Sequence, residues 1–213
     1  TWSRNSRENQ ITAWSNDPVG DPPGEVLYVR DEDDGVLLGP TALPIRDAAG
    51  HYVARFGQGY SRFEHAAHGL ALELLQYVPL GDPIKISRLK IQNRSGRTRR
   101  LSVTAYVEWV LGPSRSASAP FVATEIDPGT GALLARNPWR TGFGDRVAFA
   151  DLAGRQIAWT GDRTEFLGRN GTLEQPAALL LAAPLSGRVG AGLDPCGALQ
   201  TWFESEPHGS AEI

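Results

Sequence analysis

Leu101-Ser102-Val103-Thr104-Ala105-Tyr106-Val107-Glu108-Trp109 alternates apolar and polar side chains along its whole length. Period two puts Leu101, Val103, Ala105, Val107 and Trp109 on one face and Ser102, Thr104, Tyr106 and Glu108 on the other, which predicts a half-buried antiparallel strand over 100–111. Upstream, Asn93-Arg94-Ser95-Gly96-Arg97 separates this run from Ile84-Lys85-Ile86. A short glycine-bearing break between two β-rich runs predicts a β-hairpin, with Arg94, Arg97, Arg99 and Arg100 crowding a solvated turn. Further outward, turn residues punctuate runs that predict strands at 25–30, 51–56, 60–66, 70–78, 84–92, 121–126, 132–135, 146–150, 156–160, 177–182 and 198–204, and Glu212-Ile213 reads as the start of another. Helix-period stretches are nearly absent. Short strands at this spacing predict an all-β fold, a large antiparallel β-sandwich.

A chain of 213 residues suits one large domain that buries roughly 70% or more of its unfolded surface and needs no covalent staple. The single cysteine, Cys196, cannot form an internal disulfide, and Asp194-Pro195-Cys196-Gly197 reads as a turn in a reduced, cytoplasmic environment. A net charge of −3 argues against a general nucleic-acid or anionic-membrane surface. No apolar run is long enough to cross a bilayer, and no signal-peptide pattern opens the chain. The chain contains no methionine, which reads as an internal fragment of a longer multidomain protein, with 1–213 as a single β-sandwich domain.

Several chemistries lack their residues. Asp31-Glu32-Asp33-Asp34-Gly35 is an acidic hairpin tip without the later ligands of an EF-hand loop. His65 and His68, three apart on a strand, would face opposite sides of a sheet, so no metal centre is expected there. Gly187-Arg188-Val189-Gly190-Ala191-Gly192 has the wrong glycine order for a dinucleotide loop, and no cofactor is implied. There is no G-x-S-x-G elbow and no nucleophilic cysteine constellation. Glu108 and Glu125 are acids of the kind that flank a glycosidic bond, but surface acids held by arginine are commoner.

Asp162-Arg163-Thr164-Glu165-Phe166-Leu167-Gly168-Arg169-Asn170-Gly171 reads as a capped helical turn. Asp162 is the predicted N-cap, Glu165 completes a capping box, Phe166 and Leu167 dock inward, and Gly168 takes the left-handed stop conformation. Two readings stand side by side: a structural connection between strands, or a rigid mount holding the guanidinium groups of Arg163 and Arg169 free for a carboxylate, a phosphate or sugar hydroxyls. Elsewhere the chain is rich in tryptophan, arginine and asparagine, a combination suited to polyhydroxylated ligands, although four of the six tryptophans are expected to be core. Trp2, Ile11 and Trp14 anchor the polar opening stretch, and 17–24 is a turn-rich break.

The run Asp162-Arg163 followed by Phe166-Leu167-Gly168-Arg169-Asn170, the strand Tyr106-Val107-Glu108-Trp109, the pair Arg136-Asn137 and the stretch Gly192-Leu193-Asp194-Pro195-Cys196-Gly197-Ala198-Leu199-Gln200 together resemble the N-terminal sandwich of the cellobiose and chitobiose phosphorylase family. Thr1 to Gln10 is most similar to the phosphorylase-like region of cyclic β-1,2-glucan synthetases. The resemblance spans essentially the whole chain. It implies a galactose-mutarotase-like supersandwich followed by a helical (α/α)₆ barrel that carries the catalytic acid and most sugar and phosphate ligands. No catalytic residue is therefore expected here.

The implied partners are a β-glucan oligosaccharide, the barrel of the same polypeptide and a second copy in a homodimer; the implied location is cytoplasmic, compatible with an inner-membrane protein whose membrane this domain does not touch. Arg136 and Asn137 best match the family's acceptor-side loop, with Ala135 where relatives can carry a polar side chain. Arg136 is expected to end a short strand and reach the acceptor, the alternative being a partner such as Asp145. Asp162, Arg163, Phe166, Gly168, Arg169 and Asn170 are the expected interdomain or substrate-loop residues. An autonomous carbohydrate-binding module and a purely structural interface domain remain open as other roles.

Overall fold

The alternating run becomes the middle of β8, Arg99–Gly112, but it is not half-buried. Ser102, Thr104 and Tyr106 are as deeply buried as Leu101, Val103 and Trp109. β8 is a central strand of a six-stranded sheet ordered β12-β13-β8-β2-β3, with β1 also on β8, and its polar face is covered from above by other side chains, Phe166 stacked on Tyr106 and Glu32 bonded to the Ser102 hydroxyl. These strands are β1 Gln10–Thr12, β2 Glu25–Asp31, β3 Leu37–Leu38, β12 Ala158–Asp162 and β13 Pro195–Ser205. Ser102 and Tyr106 are buried on the polar face with partners, donating to Glu32 and Glu108, whereas the buried Thr104 hydroxyl has no hydrogen-bond partner among the described residues. The computed structural model describes residues 3–14, 19–20 and 23–213. Trp2, and residues 17–18 and 21–22 of the turn-rich break, lie outside the described residues.

A five-stranded antiparallel sheet runs β14-β7-β6-β5-β4, built from β4 Tyr52–Gly57, β5 Tyr60–Ala67, β6 Leu70–Tyr77, β7 Ile86–Asn93 and β14 Ser210–Glu212. A three-stranded sheet pairs β9 Ala123–Ile126, β10 Leu133–Arg136 and β11 Ala148–Ala150 in the order β11-β10-β9. Two compact units emerge. One comprises Thr1–Leu27 and Thr104–Thr201, the other Tyr28–Val103 and Trp202–Ile213, so the division falls within β2, β8 and β13.

The second unit has a core of Tyr28, Val29, Leu70, Leu72, Leu74, Leu89, Ile91, Leu101 and Val103. The turn at 93–97 is not a hairpin, because β7 pairs with β6 and β14 while β8 lies in the other sheet. Asn93, 1% exposed, explains the corner. Its amide donates to the carbonyls of Arg97, Ser205 and Glu206 and accepts from the Ser95 N–H, replacing the ladder a hairpin would supply. The arginines after it are not merely solvated either. Asp31 is 1% exposed and receives Arg99 at 2.7 Å and Arg97 at 3.2 Å. Arg97 also reaches Asp33 and Asp34, and Arg100 reaches Asp33, so the acidic tip at 31–35 is neutralised by arginine.

The first unit packs Trp109, Tyr106, Val110, Leu133, Phe166, Leu167 and Leu199. Gly197 is required by close approach: a Cβ there would lie 2.9 Å from Val107 Cγ1 and 3.2 Å from Trp109 Nε1. Asp194-Pro195-Cys196-Gly197 is accordingly not a turn, since β13 begins at Pro195, and Cys196 is a buried packing residue whose thiol pKa burial raises. Among the described residues there are three short α-helices, α1 Arg115–Ser118, α2 Arg163–Leu167 and α3 Ala177–Leu180, with a 3-10 turn at Ala119–Phe121. The strand expected at 177–182 is α3 because Ala-Ala-Leu-Leu are strong helix formers with no β-branching, and Pro176 immediately precedes them.

Candidate functional site

The geometry around α2 decides between the two readings of its sequence. Asp162 closes β12 and caps α2, accepting the Thr164 N–H at 3.0 Å, and its other oxygen pairs with Arg188 at 3.1 Å. The capping box does not close. Glu165 turns to Thr160 Oγ1 at 2.7 Å and to the N–H and hydroxyl of Ser186 at 2.6 and 2.8 Å, while the Asp162 N–H donates to Thr160 Oγ1. Gly168 has φ 89° and ψ 161°, a positive-φ stop with extended ψ rather than the left-handed helical one, and its N–H still closes on the Thr164 carbonyl at 3.0 Å. Phe166 and Leu167 are fully buried, Phe166 stacked on Tyr106 at 5.1 Å.

Arg163 is not free for a ligand. Its Nε donates to Glu108 at 3.0 Å, and a terminal nitrogen lies 3.5 Å from Asp194. Glu108 also accepts from Tyr106 at 3.0 Å and pairs with Arg115, which in turn pairs with Asp194. Burial works to lower the Arg163 pKa, but Glu108 and Tyr106 outweigh it and hold the pKa above its ordinary value. Burial, reinforced by nearby negative charge, pushes the Tyr106 hydroxyl well above its usual range. Asp162, Arg163, Phe166 and Gly168 thus join β8, β12 and the approach to β13; of the six residues expected on this loop only Arg169 and Asn170 are exposed.

Arg136 lies at the end of β10, on the outer face of the three-stranded sheet. Leu133 and Ala135 point inward and are fully buried, whereas Leu134, Arg136, Glu125 and Phe149 share the other face, with Leu134 directly opposite both Glu125 and Phe149. Arg136 pairs with Glu125 rather than with Asp145. Phe149 is 52% exposed. Asn137 behaves differently: it is buried, donates from Nδ2 to the Leu111 carbonyl at 3.0 Å and accepts the Trp139 N–H at 3.2 Å. Leu111 has φ 46°, uncommon for a residue with a side chain, and Asn137 holds its carbonyl there.

Beyond Asn137 the loop 138–145 is a chain of turns, with the Arg140 N–H on the Asn137 carbonyl, the Phe143 N–H on the Arg140 carbonyl and Arg140 paired with Glu8. Trp139 projects from it, 77% exposed, its ring 5.8 Å from that of Phe121, itself 43% exposed. Sequence reasoning passed over Trp139, Phe121 and Phe149. The available signal was a tryptophan directly after Asn-Pro in a segment with two glycines, where no core strand can run. Of the other tryptophans, Trp109 is buried, Trp14 and Trp159 are half-buried and Trp202 is 39% exposed.

In the second unit a cavity of about 340 Å³ lies on the sheet of β4 to β7, among Arg62, Glu64, Glu73 and Lys90. Arg62 bonds Glu73 at 2.6 Å and Glu64 at 2.9 Å, and Arg55 bonds Glu64 at 2.6 Å, so its charges form a cross-strand ladder. Among the described residues no group of three or more His, Cys, Asp or Glu is arranged to hold a metal, and no helix is long and apolar enough to cross a membrane.

The chain is thus an all-β antiparallel protein whose carboxylates are largely paired to arginines and which presents one aromatic, arginine-bearing edge. Comparison with known proteins makes this specific. The family model for the glycosyl hydrolase 94 supersandwich domain matches residues 1–213, and the chain belongs to that family. It is 42% identical over 201 residues to the cyclic beta-(1,2)-glucan synthase NdvB of Rhizobium meliloti, covering 94% of this chain and 7% of that protein. It is 29% identical over 190 residues to the solabiose phosphorylase of Paenibacillus borealis, covering 85% of this chain and 24% of that protein. An N,N'-diacetylchitobiose phosphorylase of Vibrio furnissii is 31% identical over 105 residues, 47% of this chain and 13% of that protein. The chain therefore spans a quarter or less of the length of these relatives.

Proposed function

We propose that this chain is the substrate-positioning wall of a β-glucan-processing enzyme, with the edge at 136–145 holding a glucan while another domain supplies the bond-breaking groups. The observation that carries the reading is Trp139, three-quarters exposed on an ordered loop that begins one residue after Arg136. An indole face suits the C–H face of a pyranose, and a guanidinium can hold two hydroxyls of one sugar. The relatives support the ligand class, since one is named as a cyclic β-(1,2)-glucan synthase and others as solabiose and N,N'-diacetylchitobiose phosphorylases. Positioning needs no titrating group, and Glu108, Glu125 and Asp162 are each paired with arginine.

The test uses the full polypeptide. Trp139→Ala should weaken oligosaccharide binding by about 1–3 kcal/mol, the scale of one large apolar side chain removed from a contact. Arg136→Ala should weaken it by roughly 1.5–3 kcal/mol. Both should raise KM with the melting midpoint unmoved. Unaltered KM and kcat in both variants would overturn the proposal.

A further inference from the structure

The surface beside α2 carries a feature that sugar positioning does not use. α3 buries Ala178 and Leu179 but leaves its last residue, Leu180, 54% exposed, and the C-cap Leu181 is 76% exposed. Ala182, Ala183 and Pro184 continue the exposed run, giving Leu-Leu-Ala-Ala-Pro as five consecutive apolar residues at the surface before Leu185 turns in. The segment is held in shape. The Leu181 N–H bonds the Ala177 carbonyl at 3.0 Å and the Ala183 N–H the Ala178 carbonyl at 2.9 Å, the closing bond of a Schellman turn. Ala182 takes the left-handed position at φ 49°, where glycine is the usual residue. Just past the knob Ser186 is pinned by Glu165. α3 packs on α2: a Cβ on Gly168 would stand 3.1 Å from the Ala177 Cβ, and Arg169 and Asn170 next to Gly168 are exposed.

A rigid aliphatic knob at the surface marks a contact. We infer that Leu180–Pro184 is the docking knob by which this domain seats against another domain of its own polypeptide, in an apolar depression flanked by a carboxylate that receives Arg169. Three occupants fit less well. A sugar would want the planar faces and hydrogen-bonding groups that the knob lacks. An anionic membrane would want a basic cluster, and the chain's net charge is −3. A second copy would need an interface on the order of 1,000 Å² or more to persist at ordinary concentrations, which five residues do not provide. A tethered domain needs far less, because its linker supplies an effective concentration in the millimolar range. This chain amounts to 7% and 24% of the relatives it matches, which leaves most of such a polypeptide available as the occupant.

Hydroxyl-radical footprinting of the intact polypeptide tests this. Modification of Leu180 and Leu181 is measured in the native protein and normalised to the same residues after unfolding in urea. The expected result is many-fold suppression in the native state, unchanged over a wide dilution series. Modification at close to the unfolded rate would overturn the proposal. So would protection that fades on dilution, since that identifies a second copy as the cover. Leu181→Asp in the intact polypeptide should raise modification of Leu180 without altering Trp139, and equal protection of Leu180 in variant and wild type would also count against it.

Discussion

Asp31→Ala offers the sharpest test of how the second unit is held. Asp31 and Arg99 have side chains 1% and 7% exposed and meet at 2.7 Å. Removing the carboxylate leaves a buried guanidinium whose other protein contacts are the Ser95 hydroxyl at 3.2 Å and the His68 carbonyl. Breaking one side of such a pair costs about 3–5 kcal/mol, mostly the penalty of the stranded charge. Losing the acceptor of the Asp33 N–H, 2.9 Å from Asp31 Oδ1, adds roughly 0.5–1.5 kcal/mol. Arg97, with its side chain 46% exposed, adds little because solvent screens it. For a chain of this size each kcal/mol moves the midpoint about 2–4 °C, so Tm should fall by roughly 7–26 °C. Urea unfolding of wild type, Asp31→Ala, Arg99→Leu and the double variant measures it. The double variant should be more stable than Asp31→Ala alone, because no charge is stranded. A loss below about 1 kcal/mol in Asp31→Ala, or an Arg97→Ala variant as damaged as Arg99→Leu, would refute the reasoning.

Asp162→Ala should lower stability by about 0.5–2 kcal/mol through loss of the α2 cap, with its exposed partner Arg188 contributing little; an unchanged melting midpoint would show that the cap is not structural. His65 is buried, stacked on Tyr52 at 3.9 Å, with Nδ1 3.1 Å from the Gly39 carbonyl, and burial lowers its pKa although Gly39 and Asp47 pull the other way. The unfolded imidazole takes up its proton near pH 6.5 and the folded one only lower, so stability should fall as pH drops below about 6.5 toward the folded pKa and be fully present above it. Urea midpoints from pH 7.5 to 5 should show this slope in wild type and not in His65→Gln; equal slopes would refute it.

Much of this architecture was legible because strand signals are local. β5, β6 and β10 fall within one or two residues of their expected places, since alternation and turn residues act over a few positions. What failed depended on neighbours distant in sequence. The alternation of β8 predicts one wet face, but nothing local in it signals that Phe166, sixty positions on, will lie on Tyr106. The 93–97 corner looked like a hairpin until Asn93 found the carbonyls of Ser205 and Glu206, more than a hundred positions away. Residues 177–182 are ambiguous in sequence because an apolar run without a clear period satisfies either element, and it is the absence of β-branching that favours the helix.

Arg136 and Asn137 show the same limit at the site. They are adjacent, both polar, and belong to one motif of the family resemblance. Crossing from the end of β10 into the loop, the chain turns the first outward to Glu125 and the second inward to the Leu111 carbonyl. The buried amide fixes the backbone from which Trp139 projects, through the Trp139 N–H on Asn137 Oδ1. Asn137 therefore builds the backbone of the loop, while Arg136 and Trp139 are displayed on its outer side. A sequence pattern weights the two neighbours alike, because both are needed for one loop to present one surface. Only the burial and partners of each separate the side chain that builds the loop from those that the loop displays.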